Sequence, residues 1–113
     1  MHELGIAQSI VESVRRETAA HGGGRVIRIG LRIGEMSGVN AEALRFSFQV
    51  TVHDTDLAPA ELDIEEVPLG FRCTRCGREF RVMDYATACP SCGSTETRAA
   101  QGDELQIAYL EVE

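Results

Sequence analysis

The sequence predicts an α+β fold: a small three-stranded sheet carrying two helices in the order αβαββ, with a cysteine-bearing module inserted before the last strand. Three observations point there. Two segments repeat their apolar residues at helical spacing. Three others read as short strands. All four cysteines crowd into one stretch between the second and third of those strands. At 113 residues and 43% hydrophobic content, the chain suits one modest domain or a small core with a minor module, and is too apolar to be disordered.

Leu4, Ile6, Ala7, Ile10, Val11 and Val14 line one side of a helix predicted over residues 4–21, with Glu12, Arg15, Arg16 and Glu17 opposite. The triglycine Gly22–Gly24 ends it, because a C-cap needs a residue that accepts positive φ without a Cβ clash. "RVIRIGLRIG" then alternates, with Ile27, Ile29, Leu31 and Ile33 inward and Arg28, Gly30 and Arg32 outward. "GEMSGVN" is a turn in which Asn40 or Ser37 can cap the next helix. Leu44, Phe48 and Val52 space that second helix out to about His53. "LDIEEV" reads as the second strand, Leu62 and Ile64 inward, and "LQIAYLEV" as the third. Residues 1–70 with 99–113 are therefore expected to form the α+β domain, and 71–98 a separate module.

Charge divides the chain in the same way. Residues 71–98 hold five arginines against three acids, whereas the remainder holds six against fifteen, within a net charge of −7. So acidic a molecule is not expected to bind nucleic acid. No run reaches the roughly 18 apolar residues of a membrane span, and the first ten residues lack a basic, apolar signal pattern. The expected location is the cytoplasm, where four cysteines point to metal or redox chemistry rather than disulfides.

"FRCTRCGREF" and "ACPSCGS" place Cys73 with Cys76 and Cys89 with Cys92, two C-x-x-C pairs separated by twelve residues. Two residues between thiols let one tight turn aim both sulfurs at a single ion, and a second turn completes a tetrahedron. Gly77 and Gly93 follow the pairs, supplying the positive φ of such turns. Zinc is the favoured occupant of this zinc-ribbon module, though such knuckles also hold iron. Redox C-x-x-C chemistry fits poorly without a thioredoxin-like context. Four sulfurs leave no open coordination position, so the site is structural. No P-loop, nucleophile elbow or Cys–His pairing outside the knuckles suggests an enzyme.

The chain begins Met-His-Glu. A bulky His2 keeps the initiator methionine in place, leaving the α-amine, the His2 amide and the His2 imidazole able to close fused chelate rings. Such nitrogen donors favour Ni(II) or Cu(II), and Glu3 can add a carboxylate or its own amide. Taken alone, the tip reads better as an exposed histidine followed by a favourable charge at a helix N-terminus. His21 and His53, at helix ends, read as terminal cations or caps rather than ligands.

The combination of Met-His-Glu, the αβαββ order and an inserted C-x-x-C…C-P-x-C module resembles the HypA/HybF family of hydrogenase nickel-insertion metallochaperones. The likeness covers essentially the whole chain, including "IRIGLRIGEMSGV" and "GDELQIAYLEVE". The resemblance implies a non-enzymatic protein that binds nickel as transient cargo at Met1, His2 and Glu3, with His2 the principal ligand. It implies structural zinc on Cys73, Cys76, Cys89 and Cys92, and a HypB-type nickel-handling GTPase as partner. The recipient would be the large subunit of NiFe-hydrogenase and, in some relatives, urease. The sequence leaves monomer and homodimer open. Two positions depart from the family pattern. Asn40 stands where some relatives carry an aspartate near the nickel, and its neutral amide is a poorer ligand. Gly5 replaces the usual polar residue and loosens the first helical turn.

Overall fold

In the computed structural model, which describes residues 2–113 and side chains from Glu3 onward, helix α1 spans His2–Ala20. It starts two residues before the apolar periodicity does, with Glu3 as the favourable acid of the first turn. It stops at the triglycine. The Gly23 N–H reaches back to Thr18 O at 2.6 Å, with Gly22 at φ +90, the hydrogen bond of a Schellman cap. Strand β1 covers Val26–Gly34, α2 Ala41–Val52, β2 Glu61–Val67, β3 Gly70–Cys73, β4 Glu79–Arg81, β5 Thr97–Gln101 and β6 Leu105–Val112.

The expected sheet is present in the order β2-β1-β6. Arg28 meets Glu61 at 3.9 Å and Arg32 meets Glu65 at 3.6 Å. The offset is the same at both points, as parallel strands joined through a crossover helix require. Arg25 and Glu113 exchange both backbone hydrogen bonds, at 3.4 and 2.8 Å, so β6 runs antiparallel to β1. In β1 the inward positions are Val26, Ile29, Leu31 and Ile33, with Ile27 only half-buried. Two residues rather than one separate Val26 from Ile29, so the simple alternation breaks at this end of the strand.

The chain divides into two compact units. The first comprises the segments up to Arg32, Val39–Glu65 and Gln106–Glu113. Ala7, Ile10 and Val14 of α1 are buried in it with Leu44, Phe48 and Val52 of α2, and Ile29, Leu31 and Leu62 of the sheet join them. Each large side chain so buried contributes about 1.5–3 kcal/mol. Leu4, which periodicity places on this face, is instead 48% exposed. On the outer face a Cβ at Gly30 would lie 2.0 Å from the Tyr109 ring. Tyr109 occupies that space and donates its hydroxyl to Asp63 on β2. At the β2 edge, Arg45 of α2 donates to Leu62 O, closing one acceptor that would otherwise invite another strand.

The second unit comprises Ile33–Gly38 and Glu66–Leu105. It contains its own sheet, order β4-β3-β5, antiparallel throughout. Met36 N–H bonds to Gly102 O at 2.7 Å and Glu35 N–H to Val67 O at 2.8 Å, which draws residues 34–36 into this unit. Gly34 and Gly102 pass so closely that a Cβ on Gly34 would lie 2.1 Å from the Gly102 carbonyl. No helix among the described residues is long and apolar enough to cross a membrane.

Candidate metal sites

The two C-x-x-C turns are built alike. In the first, Cys73 N–H bonds to Arg78 O and Gly77 N–H to Cys73 O, both at 2.9 Å; in the second, Cys89 N–H bonds to Ser94 O at 2.9 Å and Gly93 N–H to Cys89 O at 2.8 Å. Gly77 and Gly93 adopt φ +81 and +74, a conformation that a side chain would strain. β3 delivers Cys73 from its last position. The loop between the knuckles brings the second pair opposite.

All four Sγ atoms lie within 4.8 Å of one another, with Cys73–Cys92 and Cys76–Cys89 each at 3.6 Å. A tetrahedral ion with metal–sulfur bonds of about 2.3 Å has sulfur–sulfur edges of about 3.8 Å. These residues therefore fit a single tetrahedral ion, while their separations are far beyond a disulfide bond. Cys73 and Cys89 are buried; Cys76 and Cys92 are exposed.

Backbone amides already favour negative sulfur. The Cys76 N–H, 3.5 Å from the Cys73 sulfur, and the neighbouring Arg75 N–H bring the Cys73 thiol down to about 6. The N–H groups of Cys92 and Ser91 lower Cys89 in the same way. At Cys92 the Ser94 N–H also pulls down, but hydrogen bonds to the Cys73, Cys89 and Cys76 sulfurs, with burial, outweigh it and push the thiol up to about 11. Four sulfurs this close cannot all ionise by themselves; a bound cation is what permits it.

The second candidate lies at the start of α1. Met1 and the side chain of His2 lie outside the described residues, so Glu3 is the one predicted nickel-site side chain whose surroundings are defined. Its Oε2 accepts from the Asn40 N–H at 3.1 Å, and this bond, foremost, brings its carboxyl down to about 2. Asn40, not Ser37, is the N-cap of α2: its Oδ1 accepts from the Ala43 N–H at 2.9 Å. The side-chain oxygen that a ligand role would need is thus engaged with the helix. Asn40→Ala is expected to cost about 1 kcal/mol in urea unfolding followed by circular dichroism, and Asn40→Asp almost nothing, because aspartate caps equally well. Equal losses for the two variants would show that capping is not what the side chain contributes.

His21 Nδ1 lies 2.9 Å from Glu17 O, and His53 Nε2 lies 3.4 Å from Asp54. Among the described residues, the cysteines form the one group of three or more His, Cys, Asp or Glu side chains placed to share an ion. Sequence reasoning missed the Glu3–Asn40 link, since its donor is a backbone amide that side-chain identity does not reveal.

Known proteins match the chain over its full length. The profile of the family described as hydrogenase/urease nickel incorporation, metallochaperone, hypA matches residues 1–112. The chain is 44% identical to the hydrogenase maturation factor HypA of Geobacter metallireducens, over 100% of both chains. It is 35% identical to the hydrogenase maturation factor HybF of Morganella morganii, again over 100% of both. Among solved structures, the solution structure of the Ni metallochaperone HypA from Helicobacter pylori superposes with a TM-score of 0.68 at 21% identity, covering 99% of this chain and 97% of that one. A second solution structure of a HypA protein gives 0.75 at 23% identity, covering 100% and 97%. These two establish the shared fold. The family is one of maturation factors rather than enzymes. The chain belongs to the HypA family of metallochaperones for nickel incorporation into hydrogenase and urease.

Proposed function

We propose that the chain carries nickel on a chelate built from its own first residues, Met1, His2 and Glu3, and hands it on during maturation of a NiFe-hydrogenase. The observation that carries this reading is the Glu3 carboxylate held on the Asn40 N–H. It ties the start of α1 to the start of α2, so the tip is anchored at its third residue. The donors ahead of that anchor are an α-amine, an amide and an imidazole, a set suited to a tetragonal Ni(II) ion. A site of so few residues at a chain end binds and also releases, which suits delivery.

In this reading zinc resides in the cysteine tetrahedron and does not exchange with the cargo. It holds together a stretch of chain that has little apolar core of its own, so its binding energy is folding energy. The partners follow from the family resemblance: a HypB-type nickel-handling GTPase, and the hydrogenase large subunit as recipient, with urease the other recipient class. The work takes place in the cytoplasm, by a monomer or homodimer, and without nucleic acid. Native mass spectrometry during a nickel titration tests the division of metals. The expected record is one zinc before nickel is added, and one nickel at saturation with the zinc retained. Nickel appearing only as zinc leaves would place the cargo on the cysteines instead.

A further inference from the structure

Most of the eleven arginines answer a carboxylate or a local oxygen. Arg15 meets Asp56, Arg28 meets Glu61 and Glu111, Arg72 meets Glu79 and Arg75 meets Glu96. Arg78 donates to the Ser91 hydroxyl at 2.5 Å. Among the described residues, Arg81 and Arg98 have no such partner. Two unanswered guanidiniums are unusual where 18 acids face 11 cations.

Both lie on one face of one sheet. Arg72 of β3 stands opposite Glu79 of β4 and Arg98 of β5, so these side chains share a face. Two residues along, Gly70 stands opposite Arg81, which puts Arg81 on that face too. The other face carries Phe71 and Phe80, whose rings lie 6.4 Å apart. Arg72, Glu79, Arg81 and Arg98 are all exposed on this face, over a buried Gly70.

The chain continues this face into a strained tip. Val82 is buried and Met83 is 64% exposed, as alternation beyond Arg81 requires. Ala86 N–H closes on Met83 O at 3.0 Å. Between them Asp84 and Tyr85 both adopt positive φ, +53 and +61. Hairpin turns of this kind normally take Asn-Gly or Asp-Gly, because glycine occupies the second position without strain. Here the chain holds a tyrosine there, 95% exposed. A ring kept in water in a disfavoured conformation gains nothing from folding, and exposed aromatic and arginine side chains are the groups that anchor protein interfaces.

We propose that the arginine face of the cysteine unit, with the Met83–Tyr85 tip that extends it, docks an acidic segment of a partner protein. Carboxylates of that segment pair with Arg81 and Arg98, and its apolar side chains cover Tyr85 and Met83. A protein segment fits better than nucleic acid. The chain carries a net charge of −7, and a polyanion brings far more charge than two unpaired guanidiniums neutralise. The inference is independent of where nickel binds.

The test uses the zinc-loaded full chain, isotope-labelled, titrated with the acetylated peptide Glu-Asp-Leu-Glu-Glu-Phe-Asp-Glu-amide. Amide shifts are expected to gather at residues 70–72, 79–86 and 98, and affinity to fall as salt rises. Arg81→Glu with Arg98→Glu is expected to weaken binding at least about tenfold, whereas Arg15→Glu with Arg16→Glu, a matched charge change on α1, leaves it intact. Tyr85→Gly separates docking from structure. It relieves the positive φ and so maintains or raises the melting temperature, while affinity falls several-fold. Shifts that gather elsewhere, equal affinity in the double variant or in Tyr85→Gly, or tighter binding of a labelled single-stranded DNA than of the peptide would overturn the proposal.

Discussion

An uncleaved extension ahead of Met1 is expected to abolish tight nickel binding while leaving every side chain in place. It converts the α-amine into an amide, and a chelate that begins at the amine loses its first ring. His2→Ala is expected to do the same by removing the imidazole. His21→Ala and His53→Ala should change little, since both residues sit at helix ends beside their own local partners. Asn40→Ala should weaken nickel less than His2→Ala, because its backbone N–H, which holds Glu3, survives the substitution. Acid should weaken binding as well. Nickel competes with protons on an amine and an imidazole, groups whose ordinary reference values are about 8 and about 6.5, so affinity falls as the pH drops through that range. Isothermal titration calorimetry of the extended chain is the direct comparison. Undiminished binding there would remove the amine from the site and leave His2 as a side-chain ligand at most. Zinc content should be unchanged in every variant.

The second large effect is expected at the cysteines. Cys73→Ala should empty the tetrahedron of zinc and unfold the unit that carries it. The metal supplies a binding free energy of about 10–16 kcal/mol in comparable structural sites, and little in the unit replaces it. Cys73, Cys89, Val67, Val82 and Ile33 are its buried apolar residues, too few to hold some forty residues by packing alone. Both helices belong to the first unit. Helical circular dichroism should therefore survive, while metal content by mass spectrometry falls and amide dispersion from residues 66–105 collapses. Loss of the helical signal as well would mean that the two units fold as one. X-ray absorption at the zinc edge of the wild-type chain should show sulfur alone in the first shell.

Much of this was legible in the chain. The apolar residues of α1 and α2 recur with the helical period, and the metal-binding cysteines announce themselves because two intervening residues is the spacing a single turn can use. The second sheet was not legible. Its strands are three to five residues long, too short to establish a period of two, and the tight cysteine turns rather than an apolar face organise them. The Glu3–Asn40 bond joins positions 37 residues apart through a backbone donor, so no residue pattern encodes it. Gly30 looked like an outward gap in a strand; its meaning depends on Tyr109, a ring from the far end of the chain. Leu4 belongs to the apolar period of α1 yet stays half in water, because the packing against α2 is carried by Ala7, Ile10 and Val14.

The matched construction of the two knuckles also decides how the tetrahedron meets reagents from outside. Each turn hides its first sulfur and shows its second, so Cys76 and Cys92 are the pair in contact with water. An oxidant, an alkylating agent or a competing chelator must begin with one of those two. The inner cysteine of each turn stays shielded until an outer one has let go. Ligand exchange should therefore begin at the outer pair, and partial alkylation should stop at Cys76 and Cys92 before reaching Cys73 or Cys89.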